Sequence, residues 1–183
     1  MRMDTRDVFL GRVLQNPASM NFTEIHFIYA AQLIVSAGIR HRCQYSCSLA
    51  HQSTFSPPIT ASSEDTRKML DEYRYGLMVR REVPLSDEDV SKAWGSFAQR
   101  VLEFEHECFV RGYPKAFVPA IGTCLFEHLD DTLRPCEYDG KSRPTFEAIG
   151  INLGESLEMI NWESYLIRDA HDPFHMFAVL MLE

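Results

Sequence analysis

The chain has 183 residues, of which 45% are hydrophobic and 24% charged, and its formal net charge is -8. This length favours one domain that buries a core without disulfide or metal staples. No basic stripe of the kind that binds nucleic acid is present. The longest apolar run, residues 176–182, is too short to span a bilayer, and the first 15 residues lack the apolar segment of a signal peptide. We therefore expect a cytoplasmic protein with no nucleic-acid partner and no membrane contact.

The first third of the chain predicts one helix and one strand. A helix is expected from Thr5 to Gln15, and the alternating sequence FTEIHFIY at 22–29 predicts a strand. Residues 30–43 fit a helix and a strand equally well. The stretch 43–61 is rich in Ser and contains a Pro-Pro pair, so it predicts a loop.

The next segment predicts a capped helix followed by a strand. Ser62 and Asp65 have the spacing of a capping box, and the helix that they begin should extend to about Tyr73. YGLMVRREV at 75–83 then predicts a strand.

The longest predicted helix spans about Asp87 to Arg111. Ser86 and Asp89 repeat the capping signature, and Gly112 occupies the usual position after a helix end. Its apolar residues recur every three or four positions, at Val90, Trp94, Phe97, Val101, Phe104 and Cys108.

The last third of the chain predicts two strands and two short helices. KAFVPAIG is a strand interrupted by Pro119, and a loop follows over 123–143. Pro144 begins one short helix and LGESLEMINW forms the second. HMFAVLMLE at the end is continuously apolar and predicts a strand buried on both faces.

These elements favour an α+β fold: a mainly antiparallel sheet with helices packed on it. A doubly wound α/β sheet is the alternative, although no Gly-rich phosphate loop follows a strand. We expect one domain over 1–183, with residues 1–20 as an N-terminal helical extension of a core at 21–183.

The cysteines indicate a metal site or a catalytic site. There are five, an odd number, and in a reducing compartment thiols do not form a disulfide framework. Cys43 and Cys47 are four residues apart, and His51 follows four residues later. Cys124 is likewise followed by His128.

The sequence CEYDGKSRPTFEAIGINL at 136–153 resembles the C-terminal signature of a prokaryotic family of predicted metal-binding proteins (domain of unknown function 2284). That signature is a cysteine, an Arg-Pro-Ser-Met-Glu-Ala-like run and then Gly-Ile-Asp/Asn. The segment around Cys43 and the run RGYPKAFVPAIGTC at 111–124 resemble two further parts of the family pattern, in the same order. The resemblance implies the family's fold and a metal-binding site.

The chain departs from the family pattern at several cysteines. Ser56 stands where the family has a third N-terminal cysteine. The family's central Cys-x-x-Cys-x-x-Cys, a spacing typical of [4Fe–4S] binding, is here Cys124, Glu127 and Asp130, with Cys136 as the fourth position. Each half therefore keeps two cysteines, and neither half binds a four-cysteine cluster alone.

Our leading hypothesis is one remodelled metal site to which both halves contribute. Four thiolates suit zinc or an iron–sulfur cluster, and both are possible occupants. The competing interpretation is that no metal is bound and the cysteines are small buried hydrophobic residues. His51 and His128 are reserve ligands, and Glu127 or Asp130 adjusts the charge of the site or accepts a proton. The predicted metal ligands are Cys43, Cys47, Cys124 and Cys136.

The alternative hypothesis is a metal-free enzyme that acts on a small molecule in the former metal site. Its acid–base and nucleophilic residues would be His51, Cys124, Glu127 and His128. A partner-binding module is a third reading. The sequence does not specify an oligomeric state.

Several charged residues and histidines lie outside the cysteine loops. Arg143 and Glu147 form an ion pair that orders the cysteine loop, or one of them contacts a cofactor or ligand. The helical residues Glu103, Glu105, His106 and Glu107 are expected on a solvated face. His171 and His175 flank a proline and are expected in a loop or turn.

Overall fold

The computed structural model describes residues 5–46, 62–85, 87–121, 143–162, 169 and 171–183. Within these ranges, four antiparallel strands form one sheet and helices pack on both of its faces. The strands are β1 (Glu24–Tyr29), β2 (Tyr75–Val83), β3 (Phe117–Ala120) and β4 (Phe174–Met181). The α-helices are α1 (Thr5–Gln15), α2 (Ala37–Ser46), α3 (Ser63–Asp71), α4 (Asp87–Val110) and α5 (Leu153–Glu158). In the same described ranges, 3-10 turns lie at Pro17–Met20, Ala30–Gln32 and Glu147–Ile149.

The sheet order is β1-β2-β4-β3, and every pair is antiparallel. The predicted α+β fold is therefore confirmed, and the doubly wound alternative is wrong for the described strands. β4 occupies an inner position, as its continuous apolar sequence predicted, and its residues 178–181 are fully buried. Pro119 lies in the edge strand β3, where a missing backbone N–H costs least.

Each face of the sheet has its own hydrophobic core. Side chains alternate between the two faces of a strand, so Leu77 and Val79 of β2 pack under α1 and α4 while Met78 packs under α3 and α5. The N-terminal helix belongs to the first core, because its residues Leu10 and Val13 are buried there.

The strongest helix predictions are confirmed. α1 has the predicted bounds. The Ser62 hydroxyl accepts a hydrogen bond from the Asp65 N–H at 3.1 Å, and the Asp65 carboxylate accepts one from the Ser62 N–H at 3.2 Å, which completes the capping box. α4 ends before Gly112, whose φ of 101° is accessible mainly to glycine. Ser86, the predicted cap of α4, lies outside the described residues.

Three local predictions are wrong. Cys43 lies in α2 rather than in a loop, since the helix continues to Ser46. The short helix expected at Pro144 is a 3-10 turn that begins at Glu147. His175 lies in strand β4, as the predicted C-terminal strand requires and not in the loop expected for the two histidines, whereas His171 does lie in a turn.

Across the described ranges, none of the helices combines the length and the apolarity that crossing a bilayer requires.

Candidate metal centre

Cys43 lies within the described residues, whereas the other predicted thiolate ligands, Cys47, Cys124 and Cys136, lie outside them. The Cys43 side chain is partly exposed on α2, one turn before the helix ends at Ser46. The predicted acid–base residues also lie outside the described residues, namely His51, Glu127 and His128, as does the carboxylate at Asp130. Their roles stay predictions.

The residues just before α2, the helix that contains Cys43, are hydrogen-bonded to the segment that resembles the family signature. The Ser36 N–H donates to the Gly150 carbonyl at 2.7 Å, and the Asn152 N–H donates to the Ile34 carbonyl at 2.8 Å. α2 also contacts the 3-10 turn that contains Glu147. The helix that contains Cys43 and the described part of the late signature are therefore neighbours in the fold, although more than 100 positions separate Cys43 from Glu147.

Gly150 is the point where these chain segments meet. Its φ is +82°, in the left-handed region that favours glycine. A Cβ at this position would lie 2.5 Å from the Ser63 Oγ and 3.2 Å from the Ser36 carbonyl oxygen. Ser63 begins α3, which follows residues 47–61, so the start of α3 and the start of α2 both contact the signature segment at Gly150.

The described residues on either side of 122–142 are tied together. The Ile121 N–H donates to the Pro144 carbonyl at 3.1 Å. A side chain of α4 adds a second tie, because Glu105 accepts hydrogen bonds from the Val118 N–H of β3 and from the Arg143 Nη2, the latter at 2.9 Å. The structure thus holds Ile121 and Pro144, which lie just before and just after residues 122–142 in the sequence, side by side.

The Glu105–Arg143 ion pair is largely removed from water. The side chains of Arg143 and Glu105 are 15% and 19% exposed. The Arg143 guanidinium also lies over the Phe117 ring, with the Cζ atom 5.6 Å from its centroid. The charge of Glu105 also affects Tyr73. Burial raises the pKa of Tyr73, and the Glu72 and Glu105 carboxylates raise it further.

Sequence reasoning missed the role of Glu105. It assigned this residue to a solvated face, which is correct for Glu103 and His106 but wrong for Glu105. A signal was present, because position 105 is four residues after Val101 and three before Cys108, at the border of the buried stripe of α4. Arg143 was singled out, but with Glu147 as its suggested partner; the structure pairs it with Glu105.

Cys108 does not fit a metal site. It is fully buried in α4, and this burial, with a smaller contribution from Glu107, raises the pKa of its thiol to about 12. Metals bind the thiolate form of cysteine, so a thiol that stays protonated at neutral pH is a poor ligand. Cys108 is a small hydrophobic core residue, whereas Cys43 is partly accessible to water.

The described ranges contain no group of three or more His, Cys, Asp or Glu side chains placed to hold a metal ion. The predicted centre combines Cys43 with ligands in 47–61 and 122–142. The donor chemistry at Cys43 fits a thiolate-bound metal, and α2 contacts the turn Glu147–Ile149, which begins four residues after Arg143, the first described residue beyond 122–142.

Comparison with known families identifies the class of this protein. A family model described as "Predicted metal-binding protein (DUF2284)" matches residues 26–182. The chain therefore belongs to this family, and the resemblance noted in its sequence is confirmed. No curated protein matches the chain, and no solved structure matches it either.

Proposed function

We propose that this protein binds a metal ion or an iron–sulfur cluster through the thiolates of Cys43, Cys47, Cys124 and Cys136. The contact that carries the proposal is the hydrogen bond from the Ser36 N–H to the Gly150 carbonyl at 2.7 Å. It attaches the helix that contains Cys43 to the signature segment that follows Cys136. Membership of a family of predicted metal-binding proteins supports the same proposal.

The ligand set favours a soft or borderline metal. Four thiolates suit zinc or an iron–sulfur cluster. Glu127 and Asp130 stand where the family pattern has cysteines, and carboxylates prefer harder ions. Their charge would weaken the preference for a cluster relative to a single ion, so zinc and iron–sulfur are the two occupants to distinguish. His51 and His128 are reserve ligands for a mixed Cys/His zinc site.

Anaerobic purification distinguishes these occupants. The visible absorption spectrum is recorded and the protein is assayed for iron, zinc and acid-labile sulfide. A brown sample with iron and sulfide identifies a cluster, and a colourless sample with zinc close to one per chain identifies a single-ion site. A metal-free protein that is folded and insensitive to chelators would overturn the proposal.

Two cysteine variants provide a matched comparison. Cys43→Ala removes a partly exposed predicted ligand, and Cys108→Ala removes a fully buried thiol whose pKa is about 12. We expect the metal content per chain to fall strongly in the first variant and to stay unchanged in the second. Equal metal content in the two variants would exclude Cys43 as a ligand.

The enzyme hypothesis is the alternative if the protein proves metal-free. His51, Glu127, His128 and Cys124 would then supply acid–base or nucleophilic chemistry on a small-molecule ligand. Of the two predicted cofactor-binding residues, Arg143 is held by Glu105 in a structural ion pair. Glu147, partly exposed on the turn that contacts α2, is the better candidate for contact with a cofactor or ligand.

A further inference from the structure

A group of polar side chains lies on one face of the sheet, beyond the end of the α3/α5 core. They belong to the start of β1, the end of β2 and the start of β4, which are adjacent in the antiparallel register. Each occupies a strand position that faces the α3/α5 side. The group consists of Glu24, His26, Arg80, Glu82 and His175.

Arg80 holds most of this group together. Its Nη2 lies 2.9 Å from the Glu24 carboxylate and 3.2 Å from the Glu82 carboxylate, and its side chain is 13% exposed. The same Glu82 oxygen lies 3.3 Å from the His175 Nδ1. This spacing is within ion-pair range but does not form a directed hydrogen bond. Arg80 is therefore fixed between two carboxylates by the strands that carry them.

Trp162 covers the inner edge of the polar group. The chain turns after α5 at Asn161, whose φ is +57°, and the backbone N–H of Trp162 donates to the Leu157 carbonyl at 3.0 Å. The indole ring packs against Phe177, with centroids 5.9 Å apart, and the Arg80 guanidinium lies 5.2 Å from its centroid. Trp162 is 7% exposed, so it closes this end of the core.

A hydrogen bond between distant parts of the chain connects Trp162 to the sheet. The indole Nε1–H donates to the His26 Nε2 at 2.9 Å, and the two ring centroids are 4.5 Å apart. An indole nitrogen is a donor only, so the imidazole nitrogen that faces it must be unprotonated. The contact therefore requires the neutral form of His26 with its proton on Nδ1.

We propose that His26 is a proton-operated latch that holds Trp162 and the end of α5 on the sheet when neutral and releases them when Nε2 is protonated. Protonation would place an N–H donor against the indole N–H donor, because the ring nitrogen loses its lone pair. It would also place a second positive charge beside Arg80. The contact would then change from attractive to repulsive.

The surroundings of His26 set the pH at which the latch opens. Burial lowers the pKa of His26, and the Arg80 charge lowers it further, whereas the Glu24 charge on the same strand opposes both. Glu82 of β2 and His175 of β4 lie further along the same face of the sheet. The latch is therefore closed at neutral pH and opens below 6.5, the ordinary pKa of histidine.

Tryptophan fluorescence tests the latch. The chain has two tryptophans, so Trp94→Phe leaves Trp162 as the single emitter. We expect its emission to lose intensity and shift to longer wavelength as the pH is lowered from 7.5, with a midpoint below 6.5, because the ring becomes exposed to water and to a protonated imidazole. His26→Gln keeps a hydrogen-bond acceptor that does not titrate, so the transition should disappear in that variant. His106→Gln replaces an exposed histidine on α4 and should leave the transition unchanged.

Two results would overturn the proposal. One is an emission spectrum of Trp162 that stays constant as the pH is lowered until the protein unfolds, and the other is an unchanged transition after His26→Gln. If His26→Gln does not fold, nitrogen-15 NMR of the otherwise unsubstituted protein supplies the answer. The latch requires His26 to carry its proton on Nδ1 at pH 7.5 and on both nitrogens at the acid end of the transition, with a simultaneous shift of the Trp162 indole signal. The opposite tautomer at pH 7.5 would contradict it.

Discussion

Replacing Glu105 by alanine should destabilise the protein far more than its place on a mainly charged helix surface indicates. The carboxylate accepts hydrogen bonds from the Val118 N–H and from the Arg143 guanidinium. Removing it takes away the acceptor of a backbone donor in the edge strand and the carboxylate that pairs with the largely buried Arg143 charge. Both groups adjoin residues 122–142, so the change also loosens the attachment of the predicted cysteine segment.

The size of the effect follows from the burial of the two groups. A hydrogen bond to a charged group contributes about 1.5–3 kcal/mol, and an unsatisfied buried donor costs about 1–3 kcal/mol. Because Arg143 is 15% exposed, its guanidinium recovers part of its hydration after the substitution. It also retains its contact with the Phe117 ring. We therefore expect Glu105→Ala to lower the free energy of unfolding by about 3 kcal/mol, less than the upper values for breaking a fully buried ion pair.

Urea unfolding followed by circular dichroism measures this difference, and two variants provide controls. Glu105→Gln keeps one acceptor oxygen but presents an amide donor to Arg143 or Val118, so it should cost about half as much. Glu103→Ala removes a carboxylate from the same helix that is 48% exposed and pairs with Arg100 at the surface. It should lower the free energy of unfolding by less than about 0.5 kcal/mol, as is usual for exposed ion pairs.

The reasoning is refuted if Glu105→Ala and Glu103→Ala have the same free energy of unfolding. It is also refuted if a double-mutant cycle between Glu105 and Arg143 gives no coupling, because the proposed loss comes from that pair. A loss of metal from Glu105→Ala, in protein that remains folded, would further show that the Glu105–Arg143 pair positions the metal ligands.

Three further predictions concern the backbone, a thiol and a proton. Gly150→Ala should lower the free energy of unfolding by about 2–3 kcal/mol. A left-handed backbone costs about 1–2 kcal/mol for a residue with a Cβ, and the new Cβ would lie 3.2 Å from a carbonyl oxygen. The matched variant Gly11→Ala has open space in α1, so it should raise the free energy of unfolding by about 0.5–1 kcal/mol. In native protein at pH 8, iodoacetamide should leave Cys108 unmodified, because burial raises the pKa of its thiol to about 12, and should modify it only after unfolding. Mass spectrometry of the digested protein measures the modification, and the partly exposed Cys43 of metal-free protein is the reactive comparison. The lowered pKa of His26 means that the unfolded chain binds its proton more readily, so this residue lowers the free energy of unfolding as the pH drops from 6.5 toward the folded-state pKa. The slope of unfolding free energy against pH should be smaller in His26→Gln, and an unchanged slope there would contradict the assignment.

Local signals predicted the regular elements well. The capping box at Ser62, the nine-residue strand β2 and the apolar C-terminal strand β4 all occur where the sequence indicated them. In each case the information lies within one element, as a side-chain cap or as continuous burial. These are short-range patterns, and periodicity and capping describe them directly.

The wrong predictions involve elements whose conformation depends on distant residues. The α2 sequence AGIRHRCQYS has few apolar residues and precedes a Ser/Pro-rich stretch, so it contains little helical signal. Its start is anchored by Gly150, which lies more than 100 residues later. The pairing of Trp162 with His26 spans 136 positions, and neither residue belongs to a motif that indicates the other. Contacts of this kind are set by the sheet register and the packing of helices, which local sequence does not specify.

The family signature itself is explained largely by architecture. Arg143 pairs with Glu105, Phe146 is buried in the α3/α5 core, Gly150 adopts a left-handed turn and Asn152 caps α5 through the Glu155 N–H. Each of these roles would be needed with or without a metal. These signature residues therefore account for the scaffold, whereas the proposed metal binding rests on the cysteines. The comparison of Cys43 with Cys108 is the decisive one, because it varies the accessibility of a thiol within a single fold.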